Sequence, residues 1–414
     1  MMIRRVRVQN FLSLKDTTVD LSPLTIFIGP NASGKSAVFK ALVALSKLLR
    51  SVPLRGPRGE FTFDPAVTLD YLVWQGNSGL PVVFEVWFPD DPDEEPGYTL
   101  ELRKGDLGWS VSRERIRLPD GWFDSAEQAL QFPTERLGVV ELSAPGRPYR
   151  GTLCHLVWPF RNDEAASSRV APFRDLADRV GEIWRYRPSA NDIASFAKPA
   201  QAENGKRWMY VRENGWGLSL ELQRLQGTHR ALFESIEREL HEVFPHVRFI
   251  GFQTERSGVR LAFTTDRSED IVPAPEESDG VLLTTFLLWR VYTAPPNMRL
   301  CLEEPESGVH PYLLQQRCRL LRRFASAADG REPVQLLVAT HSADFIGTLE
   351  ERTDALDIIR VVEFDRERGT IVRGLSDVAQ VDTLLDAFGG NAGELWWSGA
   401  IGAVPPIEEP GSPG

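Results

Sequence analysis

Eight residues near the start of the chain, Gly29-Pro30-Asn31-Ala32-Ser33-Gly34-Lys35-Ser36, constrain the fold more than any other segment. They form the pattern GxxxxGKS, and the pattern stands between two readable elements. Before it, Leu24 to Ile28 is an apolar run of strand length. After it, Lys35 to Leu49 carries Val38, Ala41, Leu42, Leu45 and Leu48 on one helical side. Strand, glycine-rich turn and helix in this order make a cradle for phosphate. The glycines let the backbone wrap an anion, and successive N–H groups at the helix N-terminus point at it. Lys35 is then placed for the β- and γ-phosphates, and the Ser36 hydroxyl for Mg²⁺. ATP and Mg²⁺ are the expected ligands, and Gly29 to Ser36 the residues that bind them.

A second apolar run, Leu300-Cys301-Leu302, ends in the adjacent carboxylates Glu303-Glu304, with Pro305-Glu306 beyond. Paired acids at a strand end suit metal-dependent phosphoryl transfer. Glu303 is expected to hold the hydration shell of Mg²⁺, its longer arm standing where Asp is more usual. Glu304 is expected to orient and polarise the attacking water. A third run, Val338-Ala339-Thr340-His341-Ser342, delivers a histidine at the end of a buried strand. One βα unit after Glu304, His341 is placed to donate to the γ-phosphate. Glu304, His341 and Lys35 are thus the candidate catalytic residues, and Ser36 and Glu303 the candidate metal ligands.

Further elements follow from pattern. Ile3 to Val8 reads as a strand, followed by a turn at Asn10 to Lys15. Val82, Phe84, Val86 and Phe88 alternate as in a strand, with Tyr98 to Leu102 as an antiparallel neighbour. Pro89 to Pro96 between them is acidic and proline-rich, a solvated loop. Residues 120 to 215 show only patches of pattern and read as loops and short helices. From Thr228 the apolar spacing of Leu232, Ile236, Leu240 and Val243 predicts a helix that stops before Pro245. Ser278 to Val291 and Pro311 to Phe324 read as helices, and Met298 to Leu302, Gln335 to Ala339 and Ile358 to Phe364 as strands. This alternation predicts parallel βαβ units. The tail, Pro405 to Gly414, has a disordered composition.

With 47 basic against 58 acidic residues, the formal net charge is -11, which argues against a general polyanion-coating protein. The clusters Arg4-Arg5-Arg7 and Arg147 to Arg150 read as solvated faces, and Trp396-Trp397 as packing. Cys154, Cys301 and Cys318 show no metal-ligand spacing and read as reduced thiols of a cytoplasmic protein. No stretch has the length and apolarity of a membrane span.

Taken in order, Asn10-Phe11-Leu12-Ser13, the GxxxxGKS segment, Ser278-Asp279-Gly280, Glu303-Glu304-Pro305-Glu306 and Thr340-His341-Ser342 resemble the motifs of ABC-type head ATPases. The similarity is closest to the RecF/SMC-like and OLD-like AAA family ATPases of prokaryotes, and covers the first fifty residues and about 215 to 400. The resemblance implies an α/β P-loop NTPase head with a mixed sheet, an antiparallel β lobe and an inserted irregular or helical lobe. It divides the chain into a split head at 1–54 and 216–400, β-lobe strands and insert at 55–215, and a tail at 401–414. It implies that Ser278, Asp279 and Gly280 open a signature helix that caps the nucleotide of an opposite subunit. Two heads then sandwich two ATP molecules as a homodimer or higher even oligomer, with Ser307-Gly308-Val309-His310 as the segment facing the dimer. Glu277 departs from the apolar residue usual before the signature, and the LSGGQ wording of transporters is absent. Gln75 is the candidate for a Q-loop. The expected role is a switch or motor in a DNA-linked process, phage defence or DNA repair, with double-stranded DNA a candidate partner. Fewer than about eighty residues follow the histidine motif, short for an added nuclease domain, so a separate effector or nuclease subunit is expected. The alternative is a nucleotide-gated scaffold that sequesters and releases a toxic effector.

Overall fold

Leu24–Ile28, the strand that enters the glycine-rich loop, is the fourth of six in a mixed central sheet. The computed structural model describes residues 2–50, 54–55, 61–62, 72–105, 108–118, 121–128, 130–134, 138–143, 152–157, 166–198, 211–266, 268–295, 297–308, 310–326, 333–348 and 352–402. In the central sheet, Ile183–Tyr186, Arg299–Glu303, Gln335–Thr340, Leu24–Ile28 and Ile359–Asp365 run parallel in that order. Gly369–Gly374 closes the edge antiparallel to Ile359–Asp365.

The period of two along these strands sorts their side chains onto two faces. Leu24, Ile26, Ile28, Leu300, Leu302, Leu336, Val338, Ile359 and Val361 join one buried cluster. Phe27, Cys301, Leu337, Ala339 and Val362 join the other. Both faces are apolar because both are covered, as parallel sheets require. The first is covered by the helices Asp279–Tyr292, Leu218–Thr228, Arg230–Val243 and Pro311–Ala325. The second is covered by Lys35–Arg50, Ser167–Val180 and a second sheet.

That second sheet is antiparallel, in the order Leu14–Asp20, Arg5–Phe11, Val82–Trp87, Tyr98–Gly105, Gly108–Leu118 and Gly121–Asp124. Val82, Phe84 and Val86 face Leu102, Leu100 and Tyr98 in register, the pairing expected from their alternation. The α/β P-loop architecture with a mixed sheet and an antiparallel lobe is therefore as expected.

Several local readings change. The turn expected at Asn10 to Lys15 is tighter, and Leu14–Asp20 returns as a strand against Arg5–Phe11. Asn10 and Leu12 take positive φ of 57° and 51° to make it. The Asn10 side chain donates to the carbonyls of Asn77 (3.1 Å) and Leu80 (2.9 Å). Ser167–Val180 is a regular helix inside the stretch expected to be loops and short helices. Its buried Val170, Phe173, Leu176 and Val180 keep helical spacing around Pro172. The helix expected from Thr228 starts at Arg230, directly after a separate helix, Leu218–Thr228. A three-stranded antiparallel sheet, Val247–Glu255, Gly258–Thr265 and Ser268–Pro273, follows it. Ile183–Tyr186 pairs with Arg299–Glu303, so the central sheet recruits residues ahead of the boundary drawn at 216.

Arg4, Arg5 and Arg7 are a solvated, ion-paired face, engaging Asp93, Asp20, Asp16 and Glu85. Trp396 packs into the core, whereas Trp397 is 78% exposed, against the expectation that both pack. All three cysteines are buried thiols. Arg147 to Arg150 and Pro405 to Gly414 lie outside the described residues. No helix among the described residues is long and apolar enough to cross a membrane.

Candidate nucleotide site

The glycine-rich loop is built where the central sheet meets the hairpin ends of both sheets. At Gly29 φ is +156°, and a Cβ would stand 2.2 Å from the Val362 carbonyl oxygen. At Gly34 φ is +108°, and a Cβ would stand 1.9 Å from Thr370 Oγ1. Only glycine fits both places. Thr370, on the closing strand Gly369–Gly374, is the shelf of the loop. Its Oγ1 lies 3.0 Å from the Ser33 carbonyl oxygen and 2.7 Å from Ser13 Oγ, and its N–H donates to the Ser13 carbonyl at 2.7 Å. Helix Lys35–Arg50 begins directly on the loop, with the Ala37 and Val38 N–H groups donating to the Gly34 carbonyl.

Lys35 folds back over this loop. Its Nζ donates to the carbonyls of Gly29 (2.6 Å) and Pro30 (2.8 Å). Burial pulls its pKa down to about 8, opposed by the negative charge of Glu304, Glu303 and Glu306. The cation thus caps two carbonyls of its own loop.

Parallel pairing brings the acidic strand and the histidine strand to the same end of the sheet, two strands from the loop at most. Ser36 Oγ donates to Glu303 Oε2 at 3.0 Å. Arg185, from the strand Ile183–Tyr186, donates to the other oxygen, Oε1, at 3.2 Å. Hydroxyl and carboxylate side by side form an all-oxygen donor pair, the chemistry Mg²⁺ prefers. Glu304 stands in the left-handed region with φ +51°, and its N–H donates to the Ala339 carbonyl at 2.9 Å. A non-glycine residue held there is a local strain of the kind found at working sites. Its Oε1 accepts from Arg187 Nη2 at 2.8 Å.

Behind the acidic pair, Glu306 accepts from Thr340 Oγ1 at 2.6 Å, and burial pushes its pKa above the ordinary 4.5. Thr340 Oγ1 in turn accepts from the Ser342 N–H at 2.9 Å, and Ser342 caps the helix Ala343–Gly347. These bonds place His341 on the exposed side of the loop between strand and helix. Arg317 is wholly buried, with its pKa pulled down to about 10 by that burial. It donates to the Pro305 carbonyl and, at 2.7 Å, to Thr284 Oγ1 of the helix Asp279–Tyr292.

A cleft of about 430 Å³ is lined by Asn31 to Ser36, Glu303, Glu304 and His341, with Arg187 and Ala339. Every candidate catalytic and metal residue thus meets at one opening. Ser278, Asp279 and Gly280 do not line it. Ser278 caps the helix Asp279–Tyr292, accepting from the Val281 N–H at 3.4 Å, and Asp279 is exposed at its start. Gln75 does not line it either, standing exposed in the short turn Trp74–Gly76. Arg185, Arg187, Arg317 and Thr370 were not expected. The first two alternate with Trp184 and Tyr186, a strand pattern short enough to vanish among irregular segments.

Residues 1–78 match a domain model described as AAA ATPase domain. Residues 156–346 match an AAA domain model whose description names the AbiEii toxin and a Type IV TA system. The chain is 22% identical over 405 residues to an OLD nuclease of Thermus scotoductus, covering 94% of this chain and 67% of that protein. Among solved structures, an SMC head bound to the C-winged helix domain of ScpA is 15% identical, covering 91% of this chain and 98% of that one, at a TM-score of 0.47. The SMC head domain from Thermotoga maritima is 13% identical, covering 90% and 99%, at a TM-score of 0.38. Two AAA domain models, on residues 1–78 and 156–346, and a likeness to an OLD nuclease along nearly the whole chain support an OLD-like AAA ATPase of the P-loop class.

Proposed function

We propose that this chain binds ATP with Mg²⁺ in the cleft, hydrolyses it, and uses the cycle to close and release a head-to-tail dimer. The observation that carries the reading is the convergence of the glycine-rich loop, Lys35, Ser36–Glu303, Glu304 and His341 on one opening. In this reading the loop amides and Lys35 hold the β- and γ-phosphates, and His341 donates to a γ-phosphate oxygen. Ser36 and Glu303 would hold Mg²⁺, which would supply charge neutralisation for phosphoryl transfer. The Glu304 carboxylate orients a water in line with the bond to be cleaved and takes up its proton.

Ser278, Asp279 and Gly280 stand apart from the cleft of their own chain, as they must if they complete the site of a second copy. The capped, positively poled start of Asp279–Tyr292 suits a γ-phosphate presented from across an interface. The output is proposed to be a switch or motor in a DNA-linked process, phage defence or DNA repair, with a separate effector or nuclease subunit. The likeness to a protein named OLD nuclease supports it. A second reading, a scaffold that holds and frees a toxic effector according to nucleotide state, draws on the toxin named in the description of the model matching 156–346.

Glu304→Gln should remove water activation while leaving nucleotide binding, and so accumulate an ATP-dependent dimer visible by light scattering after size exclusion. A variant that stays monomeric and hydrolyses ATP as before overturns the reading. Double-stranded DNA should accelerate hydrolysis under the first output and leave it unchanged under the second.

A further inference from the structure

Two arginines, Arg185 on the strand Ile183–Tyr186 and Arg187 directly after it, each take one of the two paired carboxylates. Arg185 and Arg187 are two residues apart and so share a face of the edge strand and its extension. Arg185 engages Glu303 at 3.2 Å and, through its other nitrogen, Glu213 at 2.6 Å. With its side chain only 22% exposed, Arg185 is a fixed support. Arg187 differs. Its side chain is 63% exposed, it lines the cleft, and it spends one of five guanidinium donors on Glu304 at 2.8 Å. Its backbone is nonetheless fixed, the N–H donating to the Glu213 carbonyl at 2.9 Å. A solvent-exposed cation on an anchored base therefore faces the same opening as the loop and Lys35.

We propose that Arg187 is the residue by which this chain tells a triphosphate from a diphosphate, deepening the ATPase reading on which it rests. With no nucleotide, its guanidinium holds the Glu304 carboxylate aside. When a triphosphate lies on the loop, the terminal phosphate competes for the same guanidinium with more charge and three oxygens. Arginine's planar fork favours that bidentate geometry. Transfer of Arg187 to the phosphate releases Glu304 toward the water it orients. The ion pair being exposed, little holds it against such a competitor. A diphosphate leaves the terminal position empty, so Arg187 stays on Glu304 and the water site stays disarmed. Nothing covalent changes in this step; one set of charge-assisted hydrogen bonds replaces another.

The test compares ATP and ADP affinity, measured by fluorescent-nucleotide competition with Mg²⁺, in the wild type, Arg187→Ala and Arg187→Lys. Arg187→Ala should weaken ATP by about tenfold to a hundredfold and leave ADP within about twofold, since one charged contact to the terminal phosphate is lost. Arg187→Lys should recover part of the ATP preference. A second readout is the unfolding midpoint of Arg187→Ala, Glu304→Gln and the double variant. The two substitutions should be coupled without nucleotide and additive once a non-hydrolysable ATP analogue is bound. An unchanged ratio of ATP to ADP affinity in Arg187→Ala, or coupling that survives the analogue, overturns the assignment of Arg187 alone. A wild type that binds neither nucleotide overturns the ATPase reading and this one with it.

Discussion

Ser36 Oγ reaches Glu303 Oε2 at 3.0 Å across 267 positions of sequence, and the contact joins the start of the loop helix to the end of the acidic strand. Both groups are oxygen donors, and Arg185 holds the Glu303 carboxylate from its other oxygen. Ser36→Ala should keep the fold and metal-free nucleotide binding. It should lower Mg²⁺-dependent hydrolysis about tenfold or more and raise the Mg²⁺ needed for half-maximal rate. An identical Mg²⁺ titration curve would remove Ser36 from the metal site.

Lys35→Ala should abolish nucleotide binding without loss of folded stability. In the wild type, burial lowers the Lys35 pKa from the usual 10.5 to about 8. Between those values the unfolded chain holds the proton and the folded chain does not, so stability rises with pH across that window. Lys35→Ala should lack this rise. Unfolding midpoints from pH 7 to 10, read beside a nucleotide titration, check both halves, and equal slopes for the two proteins would refute the second.

Gly34→Ala should destabilise by at least about 2 kcal/mol, because left-handed strain and collision with Thr370 act together. Gly389→Ala is the control. It shares a positive φ of +60° but has nothing within 4 Å, so only about 1 kcal/mol should be lost. Equal losses in urea unfolding would mean that the Thr370 shelf yields.

Glu306→Gln should flatten the pH dependence of stability at the acidic end. Burial raises the folded pKa of Glu306 above 4.5, with the Thr340 hydrogen bond opposing. The folded chain therefore keeps a proton that the unfolded chain has lost. That contribution is fully present below about 4.5 and disappears as pH climbs through the raised value. The difference in unfolding free energy between the wild type and Glu306→Gln should shrink with rising pH from 4.5 upward. A constant difference would place the titration elsewhere.

How much of this was legible depends on where each residue's signal lay. Gly29 to Ser36, Glu303, Glu304 and His341 could be read because local chemistry and local pattern coincide there: a buried strand ends in a polar motif. Val82 to Phe88 could be read because one face meets the core. Leu14–Asp20 could not, since Lys15, Asp16, Thr18 and Asp20 point outward and Thr17 is buried as a polar residue bonded to the Thr370 carbonyl. Ser167–Val180 was hidden by Pro172 and by its charged outer face. Arg185 and Arg187 were out of reach for a different reason. Arg185 lies on a strand of four residues and Arg187 just past its end, and the strand's meaning comes from a neighbour more than a hundred positions later, which no window along the chain contains.

The floor beneath the glycine-rich loop joins Ser13 to Thr370, 357 positions apart in sequence. A truncated protein stopping soon after His341 would retain each recognisable signature and still lack the Thr370 contacts beneath Ser33 and Gly34. During synthesis, the nucleotide pocket can acquire its final shape only after the closing hairpin has emerged.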